Sequence, residues 1–484
     1  MDRHPSPSFP WARWFVVLAT VFGVVLVFVT PSLGGTDESA HVSRVAMIET
    51  GEIIPPKTWT QVPGGGADAC ITAYLYRYRA ASYAQETIPW REQFRNPECE
   101  TPGWSITGMA HTADVYSPVP YLPALVGFRV GRGVGGAAGS IYGARLVQLA
   151  AFVALMAFAI RRTPWGKPLL FTIGLLPVVI QGAANVSADP LTLAFACCAT
   201  ALALAAIDRA RTGRLVGPGA WWALGLFGVA IALSKSAYVP FVLLVFAIPT
   251  AAFGAIRRRL AISAGTVAVA GIAAGAWNLG VVAQLEIEGV NRSDSKLATA
   301  WIRYHPFGFL QAIFRGWSNP HERPALIGGM FTPVRRFAHN FPLPAWLGCL
   351  WLVVVRLVDP LPRRMARLLA RFGASSPASV DVTTVDGPVL PRRDRIVAGL
   401  VALGVAVTSI FLIEYGLAIA ANPPGAHEIV WVQGRYFLPL VPLTLFGVAG
   451  VARPLSKRWS VLIPVISVAV VIGWIWWASV EVWS

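Results

Sequence analysis

Apolar residues in this chain are gathered into long runs rather than alternating with polar ones at a helical or strand period. A first run covers residues 14–29, and others cover 146–160, 168–184, 190–207 and 398–420. At about 1.5 Å per residue, runs of this length match the roughly 30 Å hydrocarbon layer of a bilayer. Short clusters of Arg punctuate them: Arg161-Arg162, Arg209 to Arg214, Arg257 to Arg259 and Arg392 to Arg395. Basic residues mark the cytoplasmic ends of membrane spans, so the clusters set the side that each loop faces.

That rule predicts an all-α polytopic membrane protein of about 11 transmembrane helices, within a range of 10–13, with its N-terminus in the cytoplasm. Residues 31–117 form a large first extracytoplasmic loop, 285–341 a second, and 359–396 a cytoplasmic loop, all within one polytopic domain spanning 1–484. The segment 118–132 contains Pro118, Pro120, Pro123 and Arg129 and is short for a crossing. It is expected to be a juxtamembrane or re-entrant piece buried against protein. Counting it as a span would place most basic clusters outside. No Ala-x-Ala cleavage site follows the first run, which favours a retained span over a removed signal peptide. Spans near 342–356 and 461–477, a basic amphipathic stretch over 363–372 and a linker over 374–391 complete the expected topology.

Composition agrees: 55% of the 484 residues are hydrophobic and only 13% charged. The formal net charge of +16 does not indicate nucleic acid, because the cations are interleaved with apolar runs and form no continuous basic face. The expected partner is the lipid bilayer, in the inner membrane of a bacterial cell. Of the five cysteines, Cys197, Cys198 and Cys349 fall inside apolar runs and read as packing residues. Cys70 and Cys99 share the first loop, where an oxidising compartment permits a disulfide. No Cys/His spacing of the zinc type and no repeat of fixed period occurs.

With the topology drawn, the unusual polar residues fall on one membrane face. Asp37 and Glu38 follow the first span, and spacings of three and four place Asp37, His41 and Arg44 on one side of a helix. Such a group can act as a general base, ligate a divalent cation or bind a sugar hydroxyl; an ordinary acidic helix start is the plain alternative. Tyr116-Ser-Pro-Val-Pro-Tyr121 forms a rigid lip, followed by Arg145. Asp189 opens a helix after Asn185-Val-Ser187. Lys235 precedes Tyr238, and Gln433-Gly-Arg435-Tyr436 precedes a descending helix. The second loop adds Arg292, Lys296, Arg303, His305, Arg315, His321, Arg323, Arg335 and Arg336 against few acids. A cationic outer loop opposes the orientation rule, and an anionic lipid-linked substrate would account for it.

These residues resemble a bacterial family of predicted membrane proteins of unknown function. The shared pattern reads here as Asp37-Glu38-Ser-Ala-His41, Tyr116-Ser-Pro118-Val-Pro120-Tyr121, Arg145-Leu146, Ser187-Ala-Asp189, Lys235-Ser-Ala-Tyr238 and Gln433-Gly434-Arg435-Tyr436-Phe437-Leu-Pro439. Ser117-Pro118 replaces a pair of prolines, a departure that bears on loop shape. That family in turn resembles the C-type (GT-C) glycosyltransferases, which use polyprenyl-phosphate sugars. The resemblance implies Asp37 as catalytic base or metal-site acid with Glu38 assisting, and Asp189 in support of an acceptor or metal. It makes Lys235 and Arg435 the phosphate holders, and a divalent cation the one candidate cofactor.

The resulting expectation is an inverting membrane glycosyltransferase that moves a sugar from a polyprenyl-phosphate donor to an envelope glycan or lipid-linked acceptor. His41, Arg44, Tyr116, Tyr121, Arg145, Asp189, Lys235, Tyr238, Gln433, Arg435 and Tyr436 are its substrate-binding candidates. Transport of a lipid-linked glycan would call for paired, discontinuous midplane spans from internal repeats, and neither is visible. A non-catalytic envelope-assembly role leaves the outer acids without a purpose.

Overall fold

The computed structural model describes residues 10–35, 37–55, six positions between 70 and 78, 89–96, 112–285, 292–319 and 391–451. Among these every regular element is a helix. Five helices are long and apolar enough to cross a membrane, or six if one bent pair is a single span. The expected spans near 342–356 and 461–477, the stretch 363–390, and Cys99, Cys349, His321, Arg323, Arg335 and Arg336 lie outside the described residues.

Helix α1 (Trp11–Val29) starts after Pro10 and ends before Pro31, so proline, which cannot extend the hydrogen-bond ladder, bounds it at both ends. A tight turn leads to α2 (Glu38–Glu49). Helix α3 (Leu122–Arg162) holds 41 residues, about twice a bilayer crossing at roughly 1.5 Å per residue. It is not one rod. Gly135 (φ −141°) and Gly136 (φ +60°) leave the helical region, and a Cβ on Gly127 or Gly131 would collide with the backbone carbonyl of Gly143 or Gly139 respectively. Residues 16 apart in an unbroken helix would be about 24 Å apart. The chain therefore doubles back as an antiparallel hairpin whose two arms meet along four glycines, the close approach that only Gly permits. The arm before Gly135 is shorter than the roughly 20 residues that a helical crossing takes.

Helices α4 (Lys167–Gly174) and α5 (Pro177–Ala184) are bent by 58°, because Pro177 has no N–H to continue the ladder. Next come α6 (Asp189–Arg211) and α7 (Pro218–Ser234). Lys235 is extended (φ −150°, ψ 122°) and breaks the chain ahead of a 3-10 segment, Ser236–Ala247, with Pro240 inside. Helices α8 (Ile256–Gly280), α9 (Arg292–Tyr304), α10 (Pro306–Ser318) and α11 (Arg392–Ala420), a 3-10 turn Gly434–Leu440 and α12 (Val441–Val451) complete the description.

Helix α6 is the axis of the bundle: 83% of its apolar window is buried, against 17% for α8. It packs with the second arm of α3, with α5, with α7 and with the 3-10 segments, and its buried residues alternate between two apolar cores. A third, smaller core joins α2 to the α3 hairpin.

Candidate functional site

The end of α1 is secured by a buried ion pair. All five N–H groups of Arg145 donate: Nε and Nη2 to the Glu38 carboxylate at 2.7 and 2.6 Å, Nη1 to the carbonyls of Val27 and Thr30, both at 2.9 Å, and Nη2 to that of Pro31 at 2.8 Å. Glu38 also accepts from the backbone N–H groups of Gly35 and Val186, both at 3.1 Å. Both side chains are wholly buried. Burying two charges is costly unless each remaining donor and acceptor is satisfied, and here they are. The cation also lies at the negative end of the α1 dipole. The Glu38 carboxylate is thus engaged by Arg145 and two backbone N–H groups.

Asp37 points the other way. Its backbone is left-handed (φ +58°), and its carboxylate makes no capping bond to its own helix, so the plain helix-start reading does not describe it. Instead it accepts from Arg435 Nη2 at 2.7 Å across 398 positions of sequence, with its side chain 52% exposed. Asp189 is the first residue of α6. One of its oxygens pairs with Lys235 Nζ and the other lies 3.2 Å from Arg435 Nε. The four charges form a chain, Lys235–Asp189–Arg435–Asp37, drawn from four separate parts of the sequence.

Aromatic rings enclose the Lys235 end. Its ammonium lies 5.1 Å from the Tyr116 ring centre and 4.9 Å from that of Tyr436, within cation–π range. Tyr238 donates to the Tyr436 carbonyl at 2.6 Å and so fixes the turn that carries Arg435. His41 stacks on Tyr116, and its Nδ1 shares a 2.6 Å hydrogen bond with the Tyr121 hydroxyl. Burial pushes the His41 imidazole down to about 4, against the opposing pull of Asp189 and Asp37, so at neutral pH it is uncharged. Burial disfavours the Arg435 charge, but Asp189, Tyr436 and Asp37 outweigh it and hold the guanidinium above its ordinary value.

A pocket opens beside this chain, between α5, α6 and the turn 434–440. Val178, Val179, Leu193, Leu438 and Pro439 form an apolar wall, and Asp189, Arg435, Asn185, Gln181, Ser187 and Tyr238 supply polar groups. Among the described residues the Asn185 amide oxygen, which is buried, has no hydrogen-bond partner.

The other sequence candidates are nearby but differently engaged. Arg44 is buried, donates to the carbonyls of Tyr116, Glu52 and Ile53, and thereby positions the Tyr116 lip. Gln433 has no side-chain hydrogen bond among the described residues. Cys70 is disulfide-bonded, whereas Cys197 and Cys198 are free and buried. In this structure the Arg435 guanidinium bridges the carboxylates of Asp37 and Asp189, the two acids considered for a divalent cation. Among the described residues no group of three metal-ligating side chains assembles.

Three features escape the sequence reading. Asn185 presses on Gly35, where a Cβ would come within 2.7 Å of its amide. Gln148 donates to the Ser187 carbonyl and steadies the loop before Asp189. Glu414, wholly buried in α11, accepts from Trp317 Nε1 at 2.7 Å. The last had a signal, a lone acid inside an apolar run.

A family model described as "Predicted membrane protein (DUF2142)" matches residues 20–444. No curated protein matches the chain, and no solved structure does. The chain belongs to the DUF2142 family of predicted membrane proteins.

Proposed function

We propose that this membrane protein is an inverting glycosyltransferase that takes a sugar from a polyprenyl-phosphate donor and passes it to an envelope glycan or lipid-linked acceptor. The reading places about eleven spans in the inner membrane in a GT-C-like arrangement, with the N-terminus in the cytoplasm and the site on the outer face. The observation that carries it is the chain Lys235–Asp189–Arg435–Asp37 beside an apolar-walled pocket. A hydrocarbon tail suits the wall, and a phosphate suits the planar fork of Arg435. Sugar hydroxyls suit the polar side chains of Gln181 and Ser187 that line the same pocket.

In the proposed reaction the Asp37 carboxylate takes the proton of an acceptor hydroxyl, and that oxygen attacks the anomeric carbon. The bond from the anomeric carbon to the phosphate oxygen breaks, its electron pair stays on that oxygen, and polyprenyl phosphate leaves. Arg435 steadies the new negative charge directly. Lys235, enclosed by Tyr116 and Tyr436, acts through Asp189, which it holds in place. His41, uncharged and bonded to Tyr121, shapes the acceptor side. The proposed reaction has no step that uses a divalent cation.

The test is sugar analysis of envelope polymers from a deletion strain carrying wild type or Asp37→Asn, at matched membrane levels. Restoration by wild type with a loss of about 10²- to 10⁴-fold in transfer for the variant supports the reading. Full restoration by Asp37→Asn removes Asp37 as the base.

A further inference from the structure

The two carboxylates on Arg435 are not equivalent. Asp189 is anchored: it begins the enclosed helix α6, pairs with Lys235 as well, and its side chain is 24% exposed. Asp37 is 52% exposed, has a left-handed backbone and holds Arg435 through Nη2 alone. Arg435 Nη1 has no partner among the described residues, so the Nη1–Nη2 edge is only half used. That edge belongs to the same side chain that lines the pocket beside Leu438 and Pro439.

Charge counting points the same way. Two cations and two carboxylates sum to zero. A phosphate entering without displacing either acid would leave an uncompensated negative charge in a half-buried cluster. A phosphate that replaces Asp37 keeps the balance and bridges both terminal nitrogens, the bidentate arrangement a guanidinium favours. We propose that Asp37 is a placeholder on Arg435 for the phosphate of the lipid donor, so that donor binding displaces its carboxylate and turns it toward the acceptor. The proposal rests on the lipid-phosphate reading above. Its consequence is ordered binding, with the donor first and the acceptor meeting a free base only afterwards.

The experiment measures binding of a C55 polyprenyl methyl phosphate, a singly charged diester like that of the donor, to the full-length protein in nanodiscs, with the corresponding polyprenol as the phosphate-free comparison. Wild type, Asp37→Asn, Asp37→Ser and Arg435→Gln are compared at equal thermal stability. The expected result is that both Asp37 variants bind the phosphate about five- to tenfold more tightly than wild type, because the competing charge is gone. Polyprenol affinity stays equal across these proteins, and Arg435→Gln weakens phosphate binding at least tenfold. If wild type binds the phosphate in preference to polyprenol but neither Asp37 variant gains affinity, exchange is overturned while the lipid-phosphate reading stands. If wild type does not distinguish phosphate from alcohol, both fall. Two Asp37 variants are used so that misfolding of one does not decide the matter.

Discussion

Neighbouring acids in this chain do opposite work, and the difference comes from where each carboxylate points. Asp37 faces an open mouth and one cation, whereas Glu38 is sealed under the turn with all of Arg145. Removing one member of a buried pair strands the other's charge, at a typical cost of about 3–5 kcal/mol. Glu38→Gln should therefore lower the thermal unfolding midpoint in detergent markedly, and Glu38→Gln with Arg145→Met should recover part of the loss. Equal midpoints for wild type and Glu38→Gln would show that the pair is not holding the end of α1. The sequence already made Asp37, Asp189, Lys235 and Arg435 conspicuous, each an ionisable residue at the end of an apolar run. It ranked Asp37 as the base with Glu38 assisting, but did not reveal the pairing of Glu38 with Arg145. Spacing on α2 alone carries no information about the guanidinium of Arg145, which arrives from 107 positions away.

At the scale of elements, the apolar runs were legible because lipid demands length and hydrophobicity together. The hairpin in α3 was only half legible. Prolines and Arg129 marked 118–132 as no ordinary span, but the turn at Gly135–Gly136 and the glycine contact between the arms follow from a partner face that periodicity does not name. The close pairs Gly127–Gly143 and Gly131–Gly139 leave no room for a side chain, so Gly131→Ala should be destabilising by more than the usual overpacking cost of about 1–3 kcal/mol, since backbone rather than side chain must yield. Gly133 is the control. It faces open space and has no left-handed backbone, so Gly133→Ala should be neutral or slightly stabilising through helix propensity. Retention of folded protein on size-exclusion chromatography after mild heating separates the two. Equal retention would mean that the arms are not tightly packed.

For the whole molecule, the geometry supplies an orientation argument independent of how many spans the full chain has. Helix α3 runs from Arg145, beside Glu38, to Arg161-Arg162, and α6 runs from Asp189 to Arg209 and Arg211. Helix α8 begins at Arg257 to Arg259 and ends with Trp277 donating to the Val115 carbonyl, next to Tyr116. Helix α11 begins at Arg392 to Arg395 and, near its other end, meets Trp317 through Glu414. All four basic clusters thus lie at the end opposite Asp37, and the orientation rule predicts that this end faces the cytoplasm. Ile54 and Leu215, both exposed at 64% and 56%, sit on the two sides. Ile54→Cys should react with a membrane-impermeant maleimide on intact spheroplasts, and Leu215→Cys only after the membrane is opened, each measured above the labelling of the wild-type chain. The reverse pattern would place Asp37 and Arg435 in the cytoplasm, where the donor's sugar would have to be presented from the inner leaflet. The exchange at Arg435 could then still operate, but an acceptor in the outer envelope could not reach it.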